Sequence, residues 1–378
     1  MKKILLVATV ICACLAAATT SLADDDLGLT CKSALLMDGS SGEILYERNI
    51  NEKCYPASVT KLMTLTLILE AVDSGRISLD DTVSVSEEAA SMGGSQVYLY
   101  PGEERTVDEM LIAIAVGSGN DAAYAMAEFL GGSVEGFSDM MNAKAKELGM
   151  NDTHFVNPHG LHDDDHYTTA HDMGLLAFHA AKVPKMLDYT SIYEYEFRPE
   201  PNLLTLWNTN RLLKWYDGTD GLKTGYTEQA GKNLVATAKR DGMRLISVVM
   251  GAEEKRGHFN QSMKLLNYGF NKYEYITLHK SGEVIAHAAI SKSKVDDAAL
   301  TLKNDLGYSC PKGEKGEITE EILIDENLQA PLNAGDTAGE IIIRKDGTEL
   351  CRAELILMAD APKGGIISEW RKLLGMIW

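Results

Sequence analysis

The amino-acid sequence predicts an α+β fold in two domains, a mixed α+β domain followed by a smaller all-β domain. From Ser33 to about Phe270, strand-like alternation and helical periodicity occur together. After about Tyr273 the helical periods disappear, and short alternating runs separated by glycine turns replace them. The 378 residues are 45% hydrophobic and 24% charged, which is enough for two cores. We therefore expect a first domain over residues 24–272 and a β domain over residues 273–362.

The first 23 residues are predicted to be a secretory signal peptide. Two lysines precede an apolar run from Ile4 to Ala18, and the small residues Ser21-Leu22-Ala23 form a cleavage site. The mature protein is then expected to begin near Asp24 and to work outside the cytoplasm. Lipid attachment at Cys14 is an alternative, but the better cleavage site lies downstream of it.

The chain is acidic, with a formal net charge of -19. Phosphate binding needs clustered lysine and arginine, so we expect no nucleic-acid partner. The net charge does not distinguish the remaining classes of protein.

Four cysteines remain after the predicted signal peptide, in a compartment that permits disulfides. They are Cys31, Cys54, Cys310 and Cys351, and three pairings are possible. Cys31 and Cys54 flank a predicted hairpin, and the other two share the C-terminal region. We expect Cys31 to pair with Cys54 and Cys310 with Cys351, and the alternative is four unpaired thiols.

The first domain is predicted to be an antiparallel sheet with a cluster of helices. It begins with hairpin strands at Ser33 to Met37 and Glu43 to Glu47. A helix is expected from Val59 to Ser74, because its apolar residues recur at helical spacing and Gly75 follows. Further helices are expected at residues 107–116, 121–130 and 137–148, and strands at residues 221–227, 234–239 and 244–250.

The β domain is predicted to consist of short alternating runs, such as residues 278–285, 300–302, 318–324, 338–343 and 350–357. The pairs Ser281-Gly282, Lys312-Gly313 and Asp346-Gly347 are predicted to break the pattern. Residues 363–378 are predicted to form an amphipathic helix, since apolar residues recur every three or four positions after Ile366. Such a segment is shorter than the ~20 residues that a membrane span needs, and it contains two tryptophans, which suit an interface. We expect it to lie in the plane of a membrane surface, and the alternative is a helix docked on its own domain.

The stretch PASVTKLMT places a serine three residues ahead of a lysine at the start of the first predicted helix. Ser58 and Lys61, at positions i and i+3, share one face. A neutral lysine amine can take the proton of a serine hydroxyl and make it a nucleophile. The lysine pKa must then fall by roughly 3 units from ~10.4, which is about 4 kcal/mol. A helix N-terminus and burial supply part of this, and we expect a second lysine nearby to supply more.

Two later stretches complete the pattern. Ser118 and Asn120 lie in a tight glycine-containing connection between two predicted helices, which can expose a hydroxyl and an amide. Lys223, Thr224 and Gly225 lie on a predicted strand and provide the expected second cation. Each stretch also has a plain structural explanation, as a loop cap or as a solvated edge strand. Their occurrence in the order Ser-x-x-Lys, Ser-x-Asn, Lys-Thr-Gly argues against coincidence.

With these three motifs the sequence resembles the serine D-alanyl-D-alanine carboxypeptidases, low-molecular-mass penicillin-binding proteins in the larger group that includes class A β-lactamases. The resemblance covers nearly all of the mature chain and includes FVNPHGLHDDDHYTTAHDM and DGLKTGYTEQAG. It implies a β-lactamase/transpeptidase-like catalytic domain, a small C-terminal β domain, a tail at the membrane surface and no cofactor.

The resemblance also implies roles for individual residues. Ser58 would attack the carbonyl between two D-alanines while Lys61 accepts its proton. The backbone N–H groups of Ser58 and Tyr226 would form the oxyanion hole. Ser118 and Lys223 would relay a proton to the leaving amine.

Substrate binding is implied for Asn120, which would hold the substrate amide, and for Lys223 and Thr224, which would face the terminal carboxylate. Related enzymes tend to carry an arginine just before the final helix of this domain, and the matching position here is His258. Arg256 is a candidate substitute, because a neutral histidine cannot replace a guanidinium fork.

Five histidines and three aspartates crowd into residues 154–171, so a zinc peptidase is an alternative. No His-Glu-x-x-His helix is present, however, and Pro158-His159-Gly160 with Tyr167-Thr168-Thr169 indicates a structured loop. We expect no metal.

The sequence therefore predicts a serine D,D-carboxypeptidase that trims peptidoglycan stem peptides on the outer face of the cytoplasmic membrane. β-Lactams, which mimic the D-alanyl-D-alanine end, are expected to acylate Ser58. The alternatives are a β-lactamase, which uses a glutamate-activated water, and a non-catalytic peptidoglycan-binding protein of the same fold.

Overall fold

The computed structural model describes residues 26–295, 297–314 and 317–365. The helices of these residues are α1 (Lys61–Asp73), α2 (Glu87–Ala90), α3 (Val107–Ala115), α4 (Asn120–Gly131), α5 (Val134–Glu147), α6 (Ala170–Ala180), α7 (Met186–Thr190), α8 (Leu212–Trp215) and α9 (Gly257–Lys272). The strands before α9 are β1 (Ser33–Asp38), β2 (Ile44–Arg48), β3 (Thr82–Ser84), β4 (Glu104–Thr106), β5 (Glu194–Arg198), β6 (Leu204–Trp207), β7 (Thr219–Thr227), β8 (Gly231–Arg240) and β9 (Met243–Ala252). The later strands are β10 (Tyr273–His279), β11 (Ala286–Ala288), β12 (Ala298–Leu302), β13 (Leu306–Pro311), β14 (Ile318–Ile324), β15 (Thr337–Lys345) and β16 (Thr348–Leu357).

An antiparallel sheet in the order β2-β1-β9-β8-β7 forms the centre of the first part of the chain. Leu35 and Leu36, which are neighbours on β1, belong to two different hydrophobic clusters, because successive strand residues point to opposite faces. Helix α6 packs against β9 and β1, and α9 packs against β9 and β8. The sheet is therefore covered by helices on both faces, and β7 lies at its edge.

The predicted α+β arrangement of the first domain is confirmed, with small shifts of the element ends. The helix expected from Val59 to Ser74 starts with a one-turn 3₁₀ helix, Ala57–Thr60, and continues as α1. Helix α5 begins three residues earlier than expected, because the Ser133 hydroxyl accepts a hydrogen bond from Gly136 N–H and caps the helix.

The β domain consists of a five-stranded sheet in the order β11-β12-β16-β15-β14 and a separate β10–β13 pair. The alternating run predicted over residues 278–285 contributes only its first two residues to a strand, and the predicted break at Ser281-Gly282 is a turn. Strand β10 ends at His279, a turn follows in which Gly282 has φ +80°, and β11 begins only at Ala286. A glycine in the left-handed region reverses the chain here, so the alternating pattern on its two sides belongs to two strands.

The expected disulfides are also wrong, since no disulfide joins cysteines in the described residues. Cys54 forms a backbone bridge with Thr168, and Cys31 N–H donates to Gln261 Oε1, so the two cysteines are held by different elements. In the β domain, the Cys351 thiol contacts the Gly307 carbonyl oxygen at 3.6 Å, three positions along β13 from Cys310.

The predicted signal peptide lies outside the described residues, as does most of the segment predicted to be a terminal amphipathic helix. Within the described part of the chain, no helix has both the length and the apolar character needed to cross a membrane.

Candidate active site

The site is built on the 3₁₀ turn that carries Ser58. The turn begins at Ala57, whose φ of +51° is unusual for a residue other than glycine. The buried Asn233 side chain on β8 holds the approach to it, because Nδ2 donates to Tyr55 O and Pro56 O at 2.9 Å each. The Lys61 backbone N–H donates to Ser58 O and closes the turn. Ser58 is thus half-buried at a fixed position ahead of α1.

Lys61 is the buried cationic residue expected beside the serine, with 0% of its surface exposed. Its Nζ lies 3.1 Å from Ser58 Oγ, 2.6 Å from Asn120 Oδ1 and 2.7 Å from His159 O. Burial holds its pKa well below the usual range, and the charge of Lys223 lowers it further, while Asp121 acts in the opposite direction. Burial and the charge of Lys223 therefore favour the neutral form of the amine.

The three contacts of the amine also orient it. A neutral amine has two N–H donors and one lone pair. The oxygens of Asn120 and His159 can only accept, and the Asn120 amide is oriented because its Nδ2 donates to Gly93 O at 2.6 Å. Both N–H groups are then used, so the lone pair is left for the hydroxyl of Ser58. This is the geometry of a general base next to its nucleophile.

Strand β7 forms the opposite wall of the site and carries the Lys-Thr-Gly motif. A Cβ at Gly225 would lie 2.8 Å from Pro56 O and 3.0 Å from Ser58 N, so only glycine lets the strand approach the turn this closely. The next residue, Tyr226, has a side chain that is 61% exposed. The close approach therefore brings the edge of β7 to the backbone N–H of Ser58.

The side chains of the motif lie where the sequence predicts. Lys223 is 1% exposed, and burial lowers its pKa to about 7. Its charge acts on Lys61, as expected for the second cation. The Thr224 hydroxyl lies 2.6 Å from the hydroxyl of Thr209, a residue that sequence reasoning missed.

The connection between α3 and α4 brings Asn120 to the site, with Ser118 two residues before it. Ser118 is buried and has φ +57°, and Asn120, the first residue of α4, has its N–H bonded to Ser95 O at 2.7 Å. The following Asp121 is fully buried and accepts from the amides of Val97, Leu99 and Ala122. This carboxylate, which sequence reasoning also missed, anchors the loop beside Asn120.

The two candidates for binding the substrate carboxylate lie in different surroundings. The guanidinium carbon of Arg256 is 5.1 Å from the Trp215 ring centroid, in a cation–π contact. Burial, with the charge of Lys232, lowers the pKa of His258 to about 4, and its buried Nδ1 has no hydrogen-bond partner in the described residues. The His258 ring contacts the Phe259 ring, with the centroids 3.9 Å apart, and Lys232 Nζ is 5.5 Å from the Tyr226 ring centroid.

The histidine-rich stretch contributes to the site through its backbone, which sequence reasoning did not predict. The carbonyls of Pro158 and His159 accept hydrogen bonds from Thr64 Oγ1 and Lys61 Nζ. Searching residues 26–295, 297–314 and 317–365 finds no group of three or more His, Cys, Asp or Glu side chains arranged to hold a metal ion.

The serine lies on a turn that faces an edge strand, and a buried lysine amine is directed at its hydroxyl. This arrangement defines a serine hydrolase that works through an acyl-enzyme. The comparisons identify which one. The sequence model of the D-alanyl-D-alanine carboxypeptidase family matches residues 18–254, and this chain belongs to that family. Residues 273–363 match the C-terminal domain of penicillin-binding protein 5.

Relatives cover nearly the whole chain. D-alanyl-D-alanine carboxypeptidase DacF of Bacillus subtilis is 42% identical over 352 residues, which are 93% of this chain and 90% of that protein. The crystal structure of penicillin binding protein 5 from Haemophilus influenzae is 34% identical with a TM-score of 0.67, covering 89% of this chain and 98% of that one. The ampicillin-bound penicillin-binding protein D2 from Listeria monocytogenes is 34% identical with a TM-score of 0.58, covering 64% and 98%. The predicted β-lactamase/transpeptidase-like fold and serine D-alanyl-D-alanine carboxypeptidase activity are confirmed.

Proposed function

We propose that Ser58 is the nucleophile and Lys61 the general base of this carboxypeptidase. The observation that carries the proposal is the set of three contacts of Lys61 Nζ, which leaves its lone pair facing Ser58 Oγ at 3.1 Å. Ser58 Oγ forms a bond to the carbonyl carbon between two D-alanines, and its proton passes to Lys61. The peptide C–N bond then breaks, D-alanine leaves with a proton on its amine, and water hydrolyses the ester that remains.

The developing oxyanion is stabilised by the backbone N–H groups of Ser58 and Tyr226. The close approach of Gly225 to Ser58 N supports this pair, because it places the two amides on facing segments. Removal of one such donor typically costs about 3 to 4 kcal/mol of transition-state stabilisation. The unpaired edge of β7 also lets an extended peptide add to the sheet as a further strand.

Ser118 and Lys223 deliver the proton to the leaving amine. Both side chains are buried, Ser118 lies two residues before Asn120, and the lowered pKa of Lys223 lets it exchange a proton near neutral pH. Asn120 binds the substrate amide with the second hydrogen of Nδ2, because only one is used by Gly93 O. Thr224 binds the terminal carboxylate together with Lys223.

The additional carboxylate contact is tested by two variants. Arg256→Gln removes a guanidinium that stacks on Trp215. His258→Gln removes a neutral imidazole whose Nδ1 has no hydrogen-bond partner in the described residues. If Arg256 binds the carboxylate, its variant raises KM with kcat unchanged, whereas His258→Gln leaves KM unchanged. The opposite result assigns the contact to His258, and no change in either variant leaves both residues outside the substrate site.

The proposed substrate is the stem pentapeptide of peptidoglycan, and β-lactams act as covalent inhibitors. Export follows from the signal-peptide pattern of residues 1–23, and peripheral attachment to the outer face of the cytoplasmic membrane follows from the amphipathic pattern of residues 363–378. Sedimentation with vesicles tests the attachment. The mature chain is expected to sediment with the vesicles, and a chain ending at residue 362 is expected to stay in the supernatant. Equal sedimentation of the two chains would contradict the proposed attachment.

The decisive experiment locates the acyl group. After penicillin treatment, mass spectrometry should find the adduct on the peptide that contains Ser58, and the enzyme should release D-alanine from an N-acylated Lys-D-Ala-D-Ala peptide. Ser58→Ala should lose both properties. Ser138→Ala, which removes another buried serine hydroxyl, should keep both. An adduct on another residue would refute the assignment of Ser58. Rapid turnover of the β-lactam would indicate a β-lactamase. Binding of muropeptides without release of D-alanine would indicate a non-catalytic protein.

A further inference from the structure

The loop of residues 154–168, called the histidine loop below, clamps the segment that carries the nucleophile. The carbonyl oxygen of His159 accepts from Lys61 Nζ at 2.7 Å, and that of Pro158 accepts from Thr64 Oγ1 at 2.6 Å. The orientation of the base therefore depends on where this loop sits. Other contacts must therefore hold the histidine loop so that the His159 carbonyl stays within hydrogen-bond distance of Lys61 Nζ.

His166 connects the loop to the turn by two hydrogen bonds. Val156 N–H donates to His166 Nδ1 at 3.0 Å, and His166 Nε2 lies 2.7 Å from Thr60 Oγ1. Because Nδ1 accepts, the proton of the neutral ring is on Nε2, which donates to the threonine hydroxyl. The ring is 2% exposed and packs edge-on against Phe155. Tautomer and orientation are thus both fixed.

Thr60 and Val156, the hydrogen-bond partners of His166, lie in or near the two groups that position the Lys61 amine, the 3₁₀ turn and the His159 carbonyl. Thr60 is fully buried at the end of the 3₁₀ turn, between Ser58 and Lys61. Val156 is followed by Asn157, whose Oδ1 accepts from Gly160 N at 2.6 Å and shapes the turn that carries the His159 carbonyl.

We propose that His166 is a positioning residue, which fixes the His159 carbonyl against the Lys61 amine and so directs the lone pair of that amine at Ser58. The inference rests on the proposed function, since it concerns the same base and nucleophile. His166 touches no reacting atom. It acts through the hydrogen bond to Thr60 and through the shape of the histidine loop.

Four variants test this. His166→Leu removes both hydrogen bonds at similar size, and Thr60→Val removes the hydroxyl from the other side. His166→Gln keeps a donor and an acceptor and serves as the rescue. His154→Gln is the matched control, because His154 is an exposed histidine of the same loop whose ring nitrogen bonds only within the loop, to Asp165 O.

The readout is the second-order rate of acylation by a fluorescent penicillin as a function of pH, measured beside the unfolding midpoint. His166→Leu and Thr60→Val are expected to lower the plateau rate about 10- to 100-fold. Their acid limb should move to lower pH, because a carbonyl oxygen stabilises a charged ammonium more than a neutral amine and this contact is weakened. A purely structural role would leave the limb where it is. His166→Gln should stay within about 3-fold of the wild type, and His154→Gln should match it.

The double variant His166→Leu/Thr60→Val should be no slower than the slower single variant, since both remove the same link. Multiplied effects, or an acid limb that does not move, would overturn the proposal. If His166→Leu does not fold, Thr60→Val and His166→Gln carry the test. Failure of the wild-type protein to be acylated at Ser58 would instead refute the proposed function, so the two failures are distinguishable.

Discussion

Replacing Gly160 by alanine tests whether the position of the histidine loop sets the reactivity of the site. Gly160 has φ +84°, and a Cβ there would overlap the Ala57 carbonyl oxygen, far inside the 3.0 Å that real Cβ atoms keep. Ala57 belongs to the nucleophile's turn, whose approach the Asn233 side chain holds through Tyr55 O and Pro56 O, so we expect the loop to retreat instead. A retreat of roughly 1 Å carries the neighbouring His159 carbonyl away from Lys61, and a misplacement of this size in an active site costs about 100-fold in rate.

The magnitude follows from two contributions. An alanine in the left-handed region costs roughly 1 to 2 kcal/mol. Forcing a methyl group into a filled contact adds about 1 to 3 kcal/mol. We therefore expect Gly160→Ala to lower the free energy of unfolding by about 2 to 5 kcal/mol and the acylation rate by about 100-fold.

Gly149→Ala is the matched control for this experiment. Gly149 has φ +77°, but nothing lies within 4 Å of a Cβ at that position. It should lose only the conformational part, roughly 1 to 2 kcal/mol, and keep its acylation rate. The two variants are compared by denaturant unfolding and by stopped-flow acylation with a chromogenic β-lactam. If Gly160→Ala matched Gly149→Ala in both measurements, the argument about the loop would be refuted.

Three further predictions concern charge and pH. Asn120→Asp places a carboxylate 2.6 Å from Lys61 Nζ, which should raise the pKa of the lysine by about 1 to 3 units and move the acid limb of the acylation profile upward by as much; an unmoved limb contradicts this. Burial lowers the pKa of Lys223 to about 7, so kcat/KM for a peptide with a free terminal carboxylate should fall as pH rises through about 7; the amidated peptide should fall less steeply, because it lacks the carboxylate contact and keeps only the proton delivery by Lys223, and equal falls contradict the carboxylate contact. Burial lowers the pKa values of His159 and His166 from 6.5 to about 3 and about 4, so the unfolded chain binds protons first and the free energy of unfolding should fall as pH drops from about 6.5 to 4. With His258, whose pKa burial also lowers to about 4, three such groups give up to about 4 kcal/mol per pH unit, and denaturant titrations of His166→Gln should show about two thirds of that slope.

The elements that the sequence predicts well are those with strong local signals. Helix α1 has uninterrupted helical periodicity, and β8 and β9 meet at Asp241-Gly242, where both residues have positive φ as a tight hairpin requires. The spacing of Ser58 and Lys61 is enough to predict that they lie close together, because three residues along a helical turn place both side chains on one face. Local pattern and tertiary structure agree in these places.

The elements that sequence reasoning missed depend on distant partners. Helix α6, which sequence reasoning did not predict, begins at Ala170, directly after the stretch interpreted as a loop. It contains Gly174, which fits because a Cβ there would lie 3.0 Å from Leu35 on β1. The carbonyl of His159 is a backbone group that every residue has, so the residue type does not predict its contact with Lys61. Thr209 meets Thr224 only because the chain before α8 crosses the end of β7. The backbone groups of Cys31 and Cys54 have different partners, Gln261 and Thr168, which their spacing in the sequence does not reveal.

The choice of hydrogen-bond acceptors around Lys61 explains why the site needs a second lysine. Both acceptors of its N–H groups are amide carbonyls, which carry no net charge and therefore hold a proton on the amine less strongly than a carboxylate would. The nearest buried carboxylate, Asp121, does favour the ammonium, but its oxygens accept from three backbone amides of the adjoining loop and helix instead of from the lysine. Lys223 offsets that remaining attraction, since a charged neighbour favours the neutral amine. A site with the same serine and lysine but with a carboxylate in place of either carbonyl would hold a salt bridge, and its serine would stay protonated at neutral pH.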